Sequence, residues 1–263
     1  MVLKLRNAFV VALGIFLLQA LPARADDYTD IWWAVGGTES GWGVNLIQSQ
    51  DFIFATFFVY GPAPAKTPIW YAGNLTRQSN GSFSGGLYQT TGTGIGATWN
   101  PADNSATPVG NATFTPTSTT TGTLSYNVGG TNVNKNIARQ TLTSIALGGT
   151  YYGTGVINTS NCSNPANNGR QIFDVDPVVS QNTGSQLQIQ VLLGSDTCTF
   201  SGTYVQEGLL FRIPTASYTC TSGINTSATL SEIRATSIGL EGRWTAANVG
   251  GCQEDASFAA VFP

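Results

Sequence analysis

The chain of 263 residues contains no histidine, one methionine and little charge, with only 10% Asp, Glu, Lys and Arg. The missing histidine removes Ser-His-Asp and Cys-His nucleophilic centres, most zinc sites and imidazole acid–base catalysis. Basic residues are scarce, 11 Lys and Arg against 14 Asp and Glu, for a net charge of −3. Such a surface offers little to nucleic acid or to anionic lipid headgroups. Cysteine is absent before Cys162, and no CxxC metal or redox motif occurs. Beyond the first 25 residues there is almost no helical periodicity, and no apolar run long enough to cross a bilayer. No cofactor or metal motif is present.

What is present at the start reads as an export signal. Lys4 and Arg6 precede the apolar segment "AFVVALGIFLLQAL", and "ARA" ends at Ala25 before the polar "DDYTD". That order predicts a cleaved signal peptide over 1–25, and no integral membrane segment after cleavage. With Lys4, Arg6 and Arg24 removed, eight basic residues would face fourteen acidic ones, a net charge of −6. The expected destination is the periplasm or the extracellular space of a Gram-negative bacterium.

The remainder consists of short β-branched and aromatic runs bounded by Gly, Asn, Pro and Ser, among them "GVNLIQSQ", "FIFATFFVYG", "PIWYAGNLTRQ" and "GTLSYNV". This spacing predicts an all-β protein of two antiparallel up-and-down barrels or barrel-like meanders. Five of the six tryptophans (Trp32, Trp33, Trp42, Trp70 and Trp99) precede residue 146, and every cysteine follows it. The expected domains are therefore a Trp-rich one over 26–146 and a disulfide-braced one over 147–263. Four cysteines in an exported chain imply disulfides. Of the three pairings, Cys198–Cys220 joins neighbouring strands and Cys162–Cys252 ties the start of the second half to its end. "FIFATFFVY" is apolar on both pleat faces, which predicts cover on both sides. The Thr/Ser-rich 111–123 keeps its apolar alternation and reads as a solvated strand pair with a turn.

Residues 31–60 carry "WW" (32–33), "ESGWG" (39–43), an amphipathic strand and "IFATFF" (53–58). In this they resemble a family of exported proteins of Gram-negative, mainly proteobacterial, origin. Downstream "IWYAGNL", "GSFSGGLYQTTG", "VGNATF" and "KNIARQTL" extend the resemblance to 31–142. It implies a secreted protein or appended domain and brings no established activity with it.

Glu39 is the carboxylate to test. "ESGWG" is not a G-x-S-x-G nucleophile elbow, because the first glycine is missing. A glycosidase needs a second carboxylate within about 5–10 Å. Asp51 lies beyond the far end of the strand that follows Glu39, about 20 Å away at ~3.3 Å per residue. Threading the meander onward places the turns near 61–67, 90–93 and 116–120, and the end of strand 132–140, at the Glu39 end. Asp103 falls at the opposite end. On that count Glu39 meets Lys66 or Arg139 and no acid, so an ion-paired carboxylate is expected. The same end gathers Trp42, Tyr60, Trp70, Tyr71 and Tyr88, which either plug the barrel or ring a ligand mouth. With Glu39 and Arg139 they form the expected binding set. Asp174 and Asp176 share a strand face, for which a solvated edge suffices.

Three functions fit these features. The first is a non-catalytic exported binding protein for an unidentified ligand, a saccharide or an envelope component. The second is a polysaccharide- or cell-wall-acting hydrolase or lyase with Glu39 as general acid. The third is a structural or assembly protein of the envelope.

Overall fold

The computed structural model describes residues 26–263 apart from Thr38, Pro62, Ala65 and Gly194; the signal peptide expected at 1–25 lies outside the described residues. The first eight strands are β1 (Asp30–Ala34), β2 (Gly43–Ser49), β3 (Phe52–Tyr60), β4 (Pro68–Arg77), β5 (Phe83–Thr91), β6 (Ser105–Pro116), β7 (Thr121–Val128) and β8 (Thr131–Arg139). Each pairs antiparallel with its neighbour, and β1 pairs with β8 to close a barrel. Closure leaves no free edge in this sheet.

Alternation decides what faces inward. Ile53, Ala55 and Phe57 of β3, Tyr71 and Leu75 of β4, and Phe83 and Leu87 of β5 fill the interior with Trp32, Phe114 and Leu124. Trp32 and Phe114 meet edge-on with ring centroids 5.3 Å apart. Full burial of each large apolar side chain contributes roughly 1.5–3 kcal/mol. The outward face of β3 departs from expectation. Phe52, Phe54, Phe58 and Tyr60 stand 39–57% exposed, so the strand is covered on its inner side and leaves an aromatic row in solvent.

The Thr/Ser-rich segment forms the expected strand pair, β6 and β7, around a turn at 117–120. Ser118 Oγ accepts hydrogen bonds from the backbone N–H groups of Thr120 and Thr121, which fixes that turn through a side chain.

The second sheet comprises β9 (Gly149–Thr150), β10 (Tyr152–Ser160), β11 (Gly169–Val175), β12 (Val178–Gln181), β13 (Gln186–Leu193), β14 (Asp196–Thr203), β15 (Val205–Glu207), β16 (Leu210–Cys220), β17 (Asn225–Ala235), β18 (Gly239–Val249) and β19 (Cys252–Val261). Its order is β11-β10-β19-β18-β17-β16-β14-β13-β12-β9, with β15 pairing on β16. The sheet curls upon itself. Only Tyr151 separates β9 from β10, and only Asp176 and Pro177 separate β11 from β12. Since β11 pairs β10 and β12 pairs β9, both ends of the sheet path lie in one kinked hairpin. Trp244 centres the interior, with Phe200 at 5.2 Å and Phe258 at 6.2 Å between ring centroids.

Cys198 is bonded to its cross-strand partner Cys220, and Cys162 is bonded to Cys252. These are the pairs favoured from the sequence. Disulfides of this kind mark a chain that folds outside the reducing cytoplasm. Among the described residues, no helix is long and apolar enough to cross a membrane.

Candidate functional site

The barrel end that carries Glu39 lies between β1 and β2. After the turn in which Trp42 N–H bonds the Glu39 carbonyl (3.1 Å), the chain re-enters the sheet at Gly43. Gly41 has φ +94°, and a Cβ there would stand 2.9 Å from the Tyr60 ring. Glycine is thus needed twice over at this position, for the left-handed backbone and for the ring laid against it.

Trp42 packs on the interior cluster and closes the end. Its indole Nε1–H donates to the Tyr126 hydroxyl at 3.0 Å. Tyr126 in turn meets the Phe57 ring edge-on at 5.3 Å. The Lys135 ammonium sits 5.0 Å from the centre of the Trp42 ring and forms an ion pair with Glu39. Lys135, Ile137 and Arg139 alternate onto the inner face of β8, so a barrel-facing cation at this end is a consequence of period-2 patterning. A cation over an indole and under a carboxylate satisfies three groups at once. Tyr71 is buried beneath this lid.

Glu39 therefore has a cationic partner, as expected, but the partner is Lys135 and neither Lys66 nor Arg139. Lys66 is exposed in the β3–β4 loop. Arg139 lies at the opposite end of the barrel, where β8 finishes beside the start of β1. The discrepancy has one cause. Residues 92–104 form a single long loop at the Glu39 end, and counting them as a crossing strand inverts every later turn. Asp103 is consequently at the Glu39 end, and the 117–120 turn at the other. Asp51 is at the far end as expected, ion-paired with Arg77 at 2.9 Å.

Arg139 is buried at that opposite end. Burial lowers its pKa, against the opposing pull of Asp30 and Asp27. It donates from Nε to the Thr119 carbonyl (2.8 Å) and from Nη1 to the Thr29 carbonyl (2.9 Å), and it lies 5.2 Å from the Trp32 ring centre. It also ties the two sheets. Asp30 Oδ2 accepts from Arg139 Nη1 and from the backbone N–H of Leu209, both at 3.0 Å. Gly208, with φ +64°, adds a bond from its N–H to Thr141 Oγ1 at 2.9 Å. Arg234 reaches from the second sheet to Asp27 at 3.0 Å and pairs with Glu241 at 2.7 Å. Neither Asp30 nor Lys135 was singled out from sequence, although alternation along β8 was a signal for the latter.

The expected aromatic set divides. Trp42 and Tyr71 belong to the filled end. Tyr60 and Trp70 are 57% and 50% exposed on the outer wall, with Phe58 opposite Trp70 across β3 and β4. Tyr88 is also on the outer face, with its hydroxyl over Gly86. Gly41, Phe58, Tyr60, Pro68, Ile69 and Trp70 line a shallow depression of about 260 Å³ at the rim. The wall continues through exposed Ile47, opposite Phe54. On β6 the exposed positions are Ser105, Ala106, Thr107, Pro108, Asn111 and Thr115, and among the described residues of β1–β8 the exposed large apolar side chains all lie on β2–β4.

No family model and no curated protein matches this chain. Among solved structures, it is similar to the crystal structure of a DUF3598-family protein of unknown function from Nostoc punctiforme, at 12% identity over 89% of this chain and 96% of that one. The TM-score of that match is 0.27, too low to speak for fold or function.

Proposed function

We propose that this is an exported, non-catalytic binding protein that takes its ligand on the outer wall of the first barrel, around Tyr60 and Trp70. One observation carries this reading: the barrel end is filled by Trp42, while the aromatic side chains that could serve a ligand stand half exposed on one rigid wall. Trp and Tyr rings held by a sheet present a large flat contact at little entropic cost. Asn74 and Thr76, in register with Phe54 and Phe52, place hydrogen-bonding groups beside the rings. That mixture suits a saccharide, whose ring has apolar faces and polar edges. Glu39 serves as an anchor for Lys135 over Trp42, and the periplasm or the extracellular space is the setting.

A second reading, an envelope assembly role, is favoured by the length of the row. It runs from Phe52 to Tyr60, the whole of β3, which exceeds one sugar ring and suits a protein partner.

The test is titration calorimetry of the disulfide-bonded protein against soluble polysaccharides and peptidoglycan fragments. Binding that falls at least about tenfold in Trp70→Ala and Tyr60→Ala, and survives in Glu39→Gln, is expected. If no saccharide binds, but a photo-crosslinker at position 70 captures an envelope protein, the assembly reading replaces the first. Binding that depends on Glu39 and is indifferent to Trp70 would overturn both.

A further inference from the structure

The edge of the second sheet is self-complementary. β11, Gly169–Val175, hydrogen-bonds β10 on one side, and among the described residues no strand pairs with its other side. Its register with β10 is unbroken over seven residues, without bulge or proline. Unpaired strand edges are ordinarily shortened, bulged or covered. Here the edge is long, and all but its last two inward residues, Phe173 and Val175, are exposed.

The sequence of this edge, "GRQIFDV", reads symmetrically when laid antiparallel on itself. Centred on Ile172, the pairing sets Arg170 of one copy opposite Asp174 of the other, twice, with Ile172 meeting its counterpart. Arg170, Ile172 and Asp174 share the outer face, and Ile172 is 65% exposed. Among the described residues neither Arg170 nor Asp174 has an ion-pair partner within the chain. β13, which pairs with β12, passes beside β11 on this side without pairing to it. Opposite charges placed directly across an antiparallel pair stabilise it, and like charges destabilise it.

We propose that β11 is a homodimerisation edge, which joins two copies of this chain about a two-fold axis at Ile172 into one continuous sheet. The symmetry is of the isologous kind, in which each residue's partner finds it in return. A seven-residue edge falls well short of the ~1,600 Å² of a standard interface, so the association is weak, on the order of micromolar or above.

The test is sedimentation equilibrium of the purified, disulfide-bonded protein up to about 500 µM, a range set by that affinity. The wild type is expected to dimerise, and its dissociation constant to rise with added salt as the ion pairs are screened. Arg170→Asp sets Asp against Asp, and Asp174→Arg sets Arg against Arg. Each is expected to weaken dimerisation at least about tenfold, since two pairs invert at once. The double variant restores opposite charges and should restore the dimer. A wild type that stays monomeric, single variants that dimerise like wild type, or a double variant that stays monomeric would each overturn the proposal. Should a single variant fail to fold by circular dichroism, the concentration dependence of amide exchange in wild-type β11 decides: added protection at high concentration supports the edge, and none refutes it.

Discussion

Arg139 and Asp30 form an ion pair sealed from solvent, Nη1 to Oδ2 at 3.0 Å, with side chains 2% and 7% exposed. The same Asp30 oxygen accepts the Leu209 N–H from the second sheet. Removing one partner of a buried pair strands the other charge. Asp30→Ala should therefore lower unfolding free energy by about 3–5 kcal/mol in urea denaturation. Pairing it with Arg139→Met should recover part of that loss. A single variant within about 0.5 kcal/mol of wild type would refute the joint, since such a small effect is typical of an exposed position. Gly208→Ala should act on the same joint, because its Cβ would fall 2.2 Å from Asp30 Oδ2.

At the other end, Trp42 and the Glu39–Lys135 pair should separate in energy. Trp42→Ala removes part of the interior lid and should cost on the order of 3 kcal/mol. Glu39 is 46% exposed at its side chain, so Glu39→Gln should cost less than about 1 kcal/mol. Thermal melts of the two variants side by side check this. Equal losses would mean that Glu39 does more than anchor Lys135.

Glu254 gives a pH signature. Burial pushes its carboxyl above the ordinary value of 4.5, while hydrogen bonds from the Trp244 indole and the Tyr218 hydroxyl pull it part of the way back. The folded protein then keeps a proton that the unfolded chain has already lost, so stability falls as pH rises from about 4.5 through the folded pKa, and is level above it. Glutamine resembles the protonated form and keeps the acceptor oxygen. Glu254→Gln should match wild type near pH 3.5, a point below both pKa values, and exceed it at pH 7. A wild type that gains stability over that range relative to the variant would show the opposite sign and defeat the assignment.

Strand content, the closed first barrel and the cysteine pairs were legible because they rest on period-2 alternation and on punctuation by Gly, Pro and Asn. The end-to-end placement of residues was not. Ile95 and Trp99 make 92–104 resemble a strand, yet they stand 107% and 67% exposed in a loop whose 3-10 turn is capped by Asn100. Alternation cannot tell a crossing from a long return, and one false crossing moved Arg139 across the barrel. The outer aromatic row was misjudged for a related reason. A strand apolar on both faces looks the same whether a partner covers it within the chain or outside it.

The pairing of β1 with β8, which sets Trp32 opposite Arg139, also fixes an order of events. The strand that emerges first must wait for the strand that emerges eighth. More than a hundred residues of chain have to be present before the first barrel can shut, so local hairpins form early and closure comes late. The joint is later still, since Leu209 lies farther along than β8. Shutting the first barrel thus needs the chain as far as β8, and making the joint needs it as far as Leu209.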